Sequence, residues 1–165
     1  MTDARDGHDT SMDPTPRRPV RLKAVPLDEL VALQLYFDDM VRELQLIAVG
    51  AADDRAAYRL HRLAIHTQHE IARARNDLHV QARARLDDGQ RVADLVVDLR
   101  PSAVQATQAL IPLVEAFDEA SRNGMLLTAP CSAACRQLLE WMVVEVERQI
   151  EADGEPRPFT HEAPT

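Results

Sequence analysis

Aromatic side chains are scarce in this sequence. Among 165 residues only Tyr36, Phe37, Tyr58, Phe117, Trp141 and Phe159 carry an aromatic ring. The core must therefore be built from Leu, Val, Ile and Ala, which suit close helix-on-helix packing. Cysteine is nearly absent as well: Cys131 and Cys135 are too few for a disulfide framework. Lysine occurs once, at Lys23, among 19 basic residues; the remainder are Arg, as a GC-rich genome would give. A formal net charge of −8 withholds the cationic surface that phosphate backbones require, which excludes a general nucleic-acid binder. No run approaches the ~20 apolar residues that span a bilayer, and the N-terminus carries no apolar secretory segment. The expectation is a cytoplasmic protein that does not enter a membrane. Catalytic signatures are missing too. There is no Gly-rich phosphate loop, no defensible Ser-His-Asp or Cys-His spacing, and no Glu-x-x-His pair of the di-iron bundles. These absences predict a protein that is not an enzyme, with no catalytic residues, no cofactor and no resident metal.

What the sequence does have is an uninterrupted helical stretch. From Ala51 to Asp88 there is no Gly and no Pro, and Ala, Leu, Arg, Gln and Glu dominate. The spacing predicts an all-α fold: a four-helix bundle over 27–49, 52–87, 102–122 and 130–152, with the second helix much the longest. Leu30, Leu33, Phe37, Met40, Val41, Leu44 and Ile47 recur at three and four in the first helix. Pro26 fits the start of that helix, and Asp28 and Glu29 suit the positive end of its dipole. Pro112 lies inside the third predicted helix and should kink it. Leu44, Leu110, Val114, Phe117, Leu139 and Val143 are the expected core. Residues 92–99 change period: Ala93, Leu95, Val97 and Leu99 alternate with Asp94, Val96 and Asp98, a strand pattern. With no second convincing strand in the chain, this segment reads as an extended crossover between the second and third helices. Pairing with its own copy in a dimer is the alternative. Residues 1–24, polar with a basic cluster at Arg17, Arg18, Arg21 and Lys23, read as a disordered arm. Residues 25–153 read as the bundle, and 154–165 as a second disordered tail.

Three groups of residues are candidates for function. The far half of the long helix carries a narrow stripe of Ala74, Leu78, Ala82 and Leu86, as a single partner helix would need. At ~1.5 Å per residue the helix outruns its neighbours, so this stripe is the expected interface of a homodimer or partner complex. The rival account is that 92–99 folds back along it. His66 and Glu70 share a helix face and would be the ligands in a metal-binding redox alternative. His69, followed by Glu70, resembles the phosphoacceptor pair of histidine-kinase dimerisation helices, which leaves a stand-alone phosphotransfer bundle as the other alternative. Cys131 and Cys135, four apart at a predicted helix start, are either reactive thiols or small buried side chains.

One resemblance adds to this reading. Leu113-Val114-Glu115-Ala116-Phe117-Asp118-Glu119-Ala120 is followed by Gly124-Met125-Leu126-Leu127-Thr128. A Pro-started helix then carries Trp141 and Glu145 and leads to a Pro-Arg-Pro-Phe tail. This order, over about residues 90–158, resembles small helical actinobacterial regulatory proteins associated with partner-switching modules of anti-sigma kinases and phosphatases. Cys131, Ser132 and Cys135 depart from the aliphatic and charged residues usual there. The resemblance implies regulation by protein–protein interaction in signalling or transcription control, with an anti-sigma kinase or sensor ATPase as partner.

Overall fold

A computed structural model describes residues 16–50 and 55–161. The elements run β1 (Arg18–Pro26), α1 (Leu27–Gly50), α2 (Arg55–Asp87), β2 (Val92–Leu99), α3 (Ala103–Gln108), α4 (Leu110–Arg122) and α5 (Ala133–Glu151). The long helix is there, but the all-α expectation is overturned. β1 and β2 form a two-stranded antiparallel sheet, so the fold combines helices with a sheet. The segment 92–99 pairs neither with a copy of itself nor with nothing. It pairs with residues 18–26 of the same chain, from Arg18 opposite Leu99 to Pro26 opposite Val92.

Residues 18–24 therefore do not belong to a disordered arm. Their strand pattern is short because the register slips between Leu22 and Val25. Val20 and Leu22 point to the core; Ala24 then takes a positive φ of 54°, and Val25 rather than Ala24 points inward. The Ala24 N–H donates to the Asp94 carboxylate at 2.8 Å, which holds this bulge in place. An alternation of two residues followed by a phase change is too brief to read as a strand. The tail to residue 161 is also packed. The Phe159 N–H donates to the Lys23 carbonyl at 2.9 Å, and the Phe159 ring meets Trp141 edge-on at 5.4 Å. Glu145, 2% exposed on α5, anchors this return. It pairs with Arg148 at 3.0 Å and accepts the Arg157 N–H at 3.2 Å, while Arg148 donates to the Glu155 carbonyl.

Both outer edges of the sheet are closed by glutamine. Arg21 and Val96 face each other in the register. On the β1 side, Gln149 accepts the Arg21 N–H and donates to the Arg21 carbonyl, both at 2.9 Å. On the β2 side, Gln81 donates to the Val96 carbonyl at 2.7 Å and accepts the Val96 N–H at 3.2 Å. Arg21 and Val96 thus turn their N–H and C=O groups outward, and each amide stands in for a missing strand.

The sheet lays its apolar face, Val20, Leu22, Leu95, Val97 and Leu99, on the helices. Pro112 does more than kink the third predicted helix: it divides it. Its ring nitrogen has no hydrogen to give the Gln108 carbonyl, and α3 ends at Gln108 while α4 starts at Leu110. α5 starts later than the Pro130 signal suggested, because Ser132 caps it and accepts the Cys135 N–H at 3.2 Å. No helix among the described residues is long and apolar enough to cross a membrane.

Leu44, Leu110, Val114, Phe117, Leu139 and Val143 are all buried. So are Ala74, Leu78 and Ala82, with Leu86 partly buried against the same core. The stripe on α2 is therefore covered from within the chain, in part by the fold-back of 92–99. Phe117→Ala should lower stability by about 3–5 kcal/mol, as read by chemical denaturation. Leu78→Arg should abolish cooperative melting in circular dichroism, because it buries an unpaired charge.

Candidate functional site

Charged residues sit where the helical period calls for apolar ones. Asp118 is one position past Phe117 and four past Val114, on the inward face of α4, and is fully buried. Its carboxylate accepts the Tyr36 hydroxyl and the Cys131 N–H, both at 2.8 Å, and pairs with the Arg136 guanidinium. The Tyr36 ring meets Phe117 edge-on at 6.0 Å. Burial, and then the bond to Asp118, push the Tyr36 hydroxyl well above the ordinary tyrosine range. It stays protonated and remains a donor. The cluster ties α1, α4 and α5 together, and its lone pairs are committed.

The two cysteines flank the start of α5. Cys135 is buried and its Sγ lies 3.6 Å from the Glu29 carbonyl; Cys131 is half-buried. A hydrogen bond from the Cys131 thiol, against the effect of burial and with help from Ser132, draws the Cys135 thiol below the ordinary range. The same bond and burial push the Cys131 thiol up.

The segment joining α4 to α5 is fixed by carboxylates at both ends. Cys131 is held by Asp118. Glu43, on α1, accepts the N–H groups of Leu127 and of Thr128, the latter at 2.8 Å. The Ser121 hydroxyl donates to the Thr128 carbonyl. Leu126 packs on the core, yet Leu127 is 99% exposed and Met125 66% exposed. Leu46, 69% exposed, lies about one helical turn beyond Glu43. Three large apolar side chains therefore stand in water on well-held backbone.

A cavity of about 70 Å³ lies between α1, α2, the sheet and the later helices. Leu30, Phe37, Ile71, Leu78, Val97 and Val143 are among its walls, with Gln34, Arg75, His79 and Thr107 the polar side chains along it. Arg75 pairs with Asp38 at 2.8 Å and lies 5.2 Å from the Phe37 ring centre.

The sequence-predicted residues fall differently. The side chains of His66, His69 and Glu70 lie outside the described residues. Asp77 makes an exposed pair with Arg73 at 3.8 Å. Among the described residues, no three His, Cys, Asp or Glu side chains stand close enough together to hold a metal ion. Asp118 and Glu145 were missed, although both occupy positions on apolar helix faces, which is the readable sign of a buried ion pair. No protein-family model, curated protein or solved structure matches this chain.

Glu43 gives a pH test of the pinned segment. Burial opposes its charge, but the bonds from Thr128 and Leu127 outweigh this and lower its pKa. A depressed carboxylate contributes stability above its ordinary value and loses it as pH falls through the depressed one. The amides of Leu127 and Thr128 should keep their NMR shifts at neutral pH. They should titrate together with a midpoint below the usual glutamate value of about 4.3.

Proposed function

We propose that this protein is a non-enzymatic regulator that acts by binding another protein, with the α4–α5 segment and the adjoining end of α1 as its contact surface. The observation that carries this reading is Leu127, 99% exposed on backbone held by Glu43 and Ser121. Burying a large apolar side chain is favourable by about 1.5–3 kcal/mol, so leaving Leu127 in water forgoes that stabilisation within the chain. A pinned backbone presents it with little ordering left to lose on association, the condition under which a few apolar anchors dominate binding. Met125 and Leu46 extend the surface, and contiguous exposed apolar groups of this kind mark association sites.

The partner class comes from the resemblance of residues 90–158, which implies an anti-sigma kinase or a sensor ATPase in a cytoplasmic signalling module. The strings Gly124-Met125-Leu126-Leu127-Thr128 that carry the resemblance are those that carry the exposed apolar side chains. Homodimerisation is no longer expected through α2, and a dimer would have to use the same exposed surface.

The test is the double substitution Met125→Asp, Leu127→Asp. Both side chains are solvent-facing, so circular dichroism and melting temperature should be unchanged within about 0.5 kcal/mol of stability. A partner co-purified from the native host with the wild-type chain, identified by mass spectrometry, should be lost with the double variant. Light scattering separates a second copy from a different protein. Equal recovery of the partner with both chains would remove this surface from the proposal.

A further inference from the structure

The two cysteines of this chain are each other's neighbours. Cys131 and Cys135 stand on either side of Ser132, the cap of α5, and both are free. Each is placed by its backbone. The Cys131 N–H donates to the Asp118 carboxylate at 2.8 Å, and the Cys135 N–H to the Ser132 hydroxyl at 3.2 Å. The backbone is extended at Ser132 and helical beyond it, and across this turn the two thiols meet in a hydrogen bond. Their surroundings differ. Cys131 is half-buried, whereas Cys135 is buried with its Sγ 3.6 Å from the Glu29 carbonyl. One sulfur reaches solvent and the other lies behind it. Among the described residues, no third His, Cys, Asp or Glu completes a metal site with them. A structural bridge is not the use of this pair either. A disulfide stabilises mainly by closing a long loop of the unfolded chain, and the loop between Cys131 and Cys135 is very short. What the arrangement favours is reaction between the thiols.

We propose that Cys131 and Cys135 form a reversible oxidation site that takes a small hydroperoxide and closes to an intrachain disulfide, with Cys131 the sulfur that reacts first and Cys135 the one that closes the bridge. The hydrogen bond between the thiols, against burial and with help from Ser132, draws Cys135 below the ordinary thiol range. The pair therefore gives up one proton more readily than an isolated thiol, and the bond carries the charge to the outer sulfur. The Cys131 thiolate attacks the outer oxygen of the hydroperoxide, ROOH. The O–O bond breaks, Cys131 becomes a sulfenic acid, and the departing alkoxide takes the remaining proton of the pair to leave as alcohol. Cys135, now the thiolate, attacks Cys131 Sγ; the S–O bond breaks and hydroxide leaves. Two electrons have passed from the sulfurs to the peroxide, and the products are a disulfide, one alcohol and one hydroxide. The buried position of Cys135 suits the second step, because this thiolate meets the sulfenic acid before a second oxidant does. The half-buried Cys131 selects a small oxidant, since a bulky disulfide needs open access to the sulfur it exchanges with. A dithiol reverses the change. The site consumes one peroxide per chain and stands independently of the protein-binding reading.

The experiment treats the reduced full-length protein with equimolar hydrogen peroxide and reads the intact mass and the free thiols. The mass should fall by that of a pair of hydrogens. No thiol should remain to alkylate after unfolding, and dithiothreitol should restore both. Cys135→Ser should stop at a sulfenic acid on Cys131, captured by dimedone. Cys131→Ser should oxidise about tenfold more slowly than the wild-type chain, since its remaining thiol is covered and has lost its hydrogen-bond donor. The wild-type rate should rise with pH through a midpoint below the ordinary thiol value of about 8.5. The mass measurement needs no variant to fold. Both thiols still open to alkylation after treatment, or a disulfide between chains on a non-reducing gel, would overturn the site. Oxidation of Cys131→Ser at the wild-type rate would overturn the role of Cys131 as the first sulfur, and a midpoint at the ordinary thiol value would overturn the part played by the hydrogen bond.

Discussion

The pairing of β1 with β2, with its edges closed by Gln149 and Gln81, is the interaction on which the rest of the structure depends. β1 and β2 are separated by two helices in sequence, so pairing them closes a long loop at an entropic cost that local contacts must offset. A two-stranded sheet alone is marginal in water. Here its apolar face is laid on the helices, and its two edges are closed by amides from α2 and α5. The two glutamines therefore fix the sheet to both flanking helices. It also turns α2 from a helix with a bare far end into one covered along Ala74, Leu78 and Ala82. Losing the sheet would expose that stripe and recreate the partner-hungry helix that the sequence suggests.

Buried charge does comparable work beyond the sheet. Asp118 and Glu145 each hold an arginine and at least one backbone N–H. Replacing such pairs by apolar residues is often neutral for stability, whereas removing one partner is costly. Their value here is positional. Asp118 sets where α5 begins, and Glu145 sets where the chain returns to β1. Together with Glu43, Asp118 gives the α4–α5 segment a defined path, so Leu127 is presented to solvent and not folded inward.

The helices were legible because their signal is local and repeated. The stripes Leu30–Leu33–Phe37–Met40–Leu44 and Leu138–Leu139–Val143–Val146–Ile150 recur often enough to survive without context, and the buried residues follow them. Pro112 was legible because removing one N–H acts within one turn. β1 was not legible. Pro19, two inward residues and a bulge at Lys23–Ala24 give no sustained alternation, and its partner lies more than sixty residues away. Without β1, residues 92–99 had a strand pattern and nothing to pair with, which led to an all-α fold with a crossover.

The sequence by itself determined the helical elements, most of the core and the acidic balance, since these follow from composition and from periods of three and four. Only the tertiary structure decided which apolar stripe is covered and which apolar side chains remain exposed. Leu78 and Leu127 look alike in sequence, each a leucine near the end of an apolar segment. One is covered within the chain, where β2 folds back along α2, and the other stands in water beside a backbone held by a carboxylate on α1. Exposure is set by what packs against a residue, and the packing partners here are distant in sequence, so no local pattern records it.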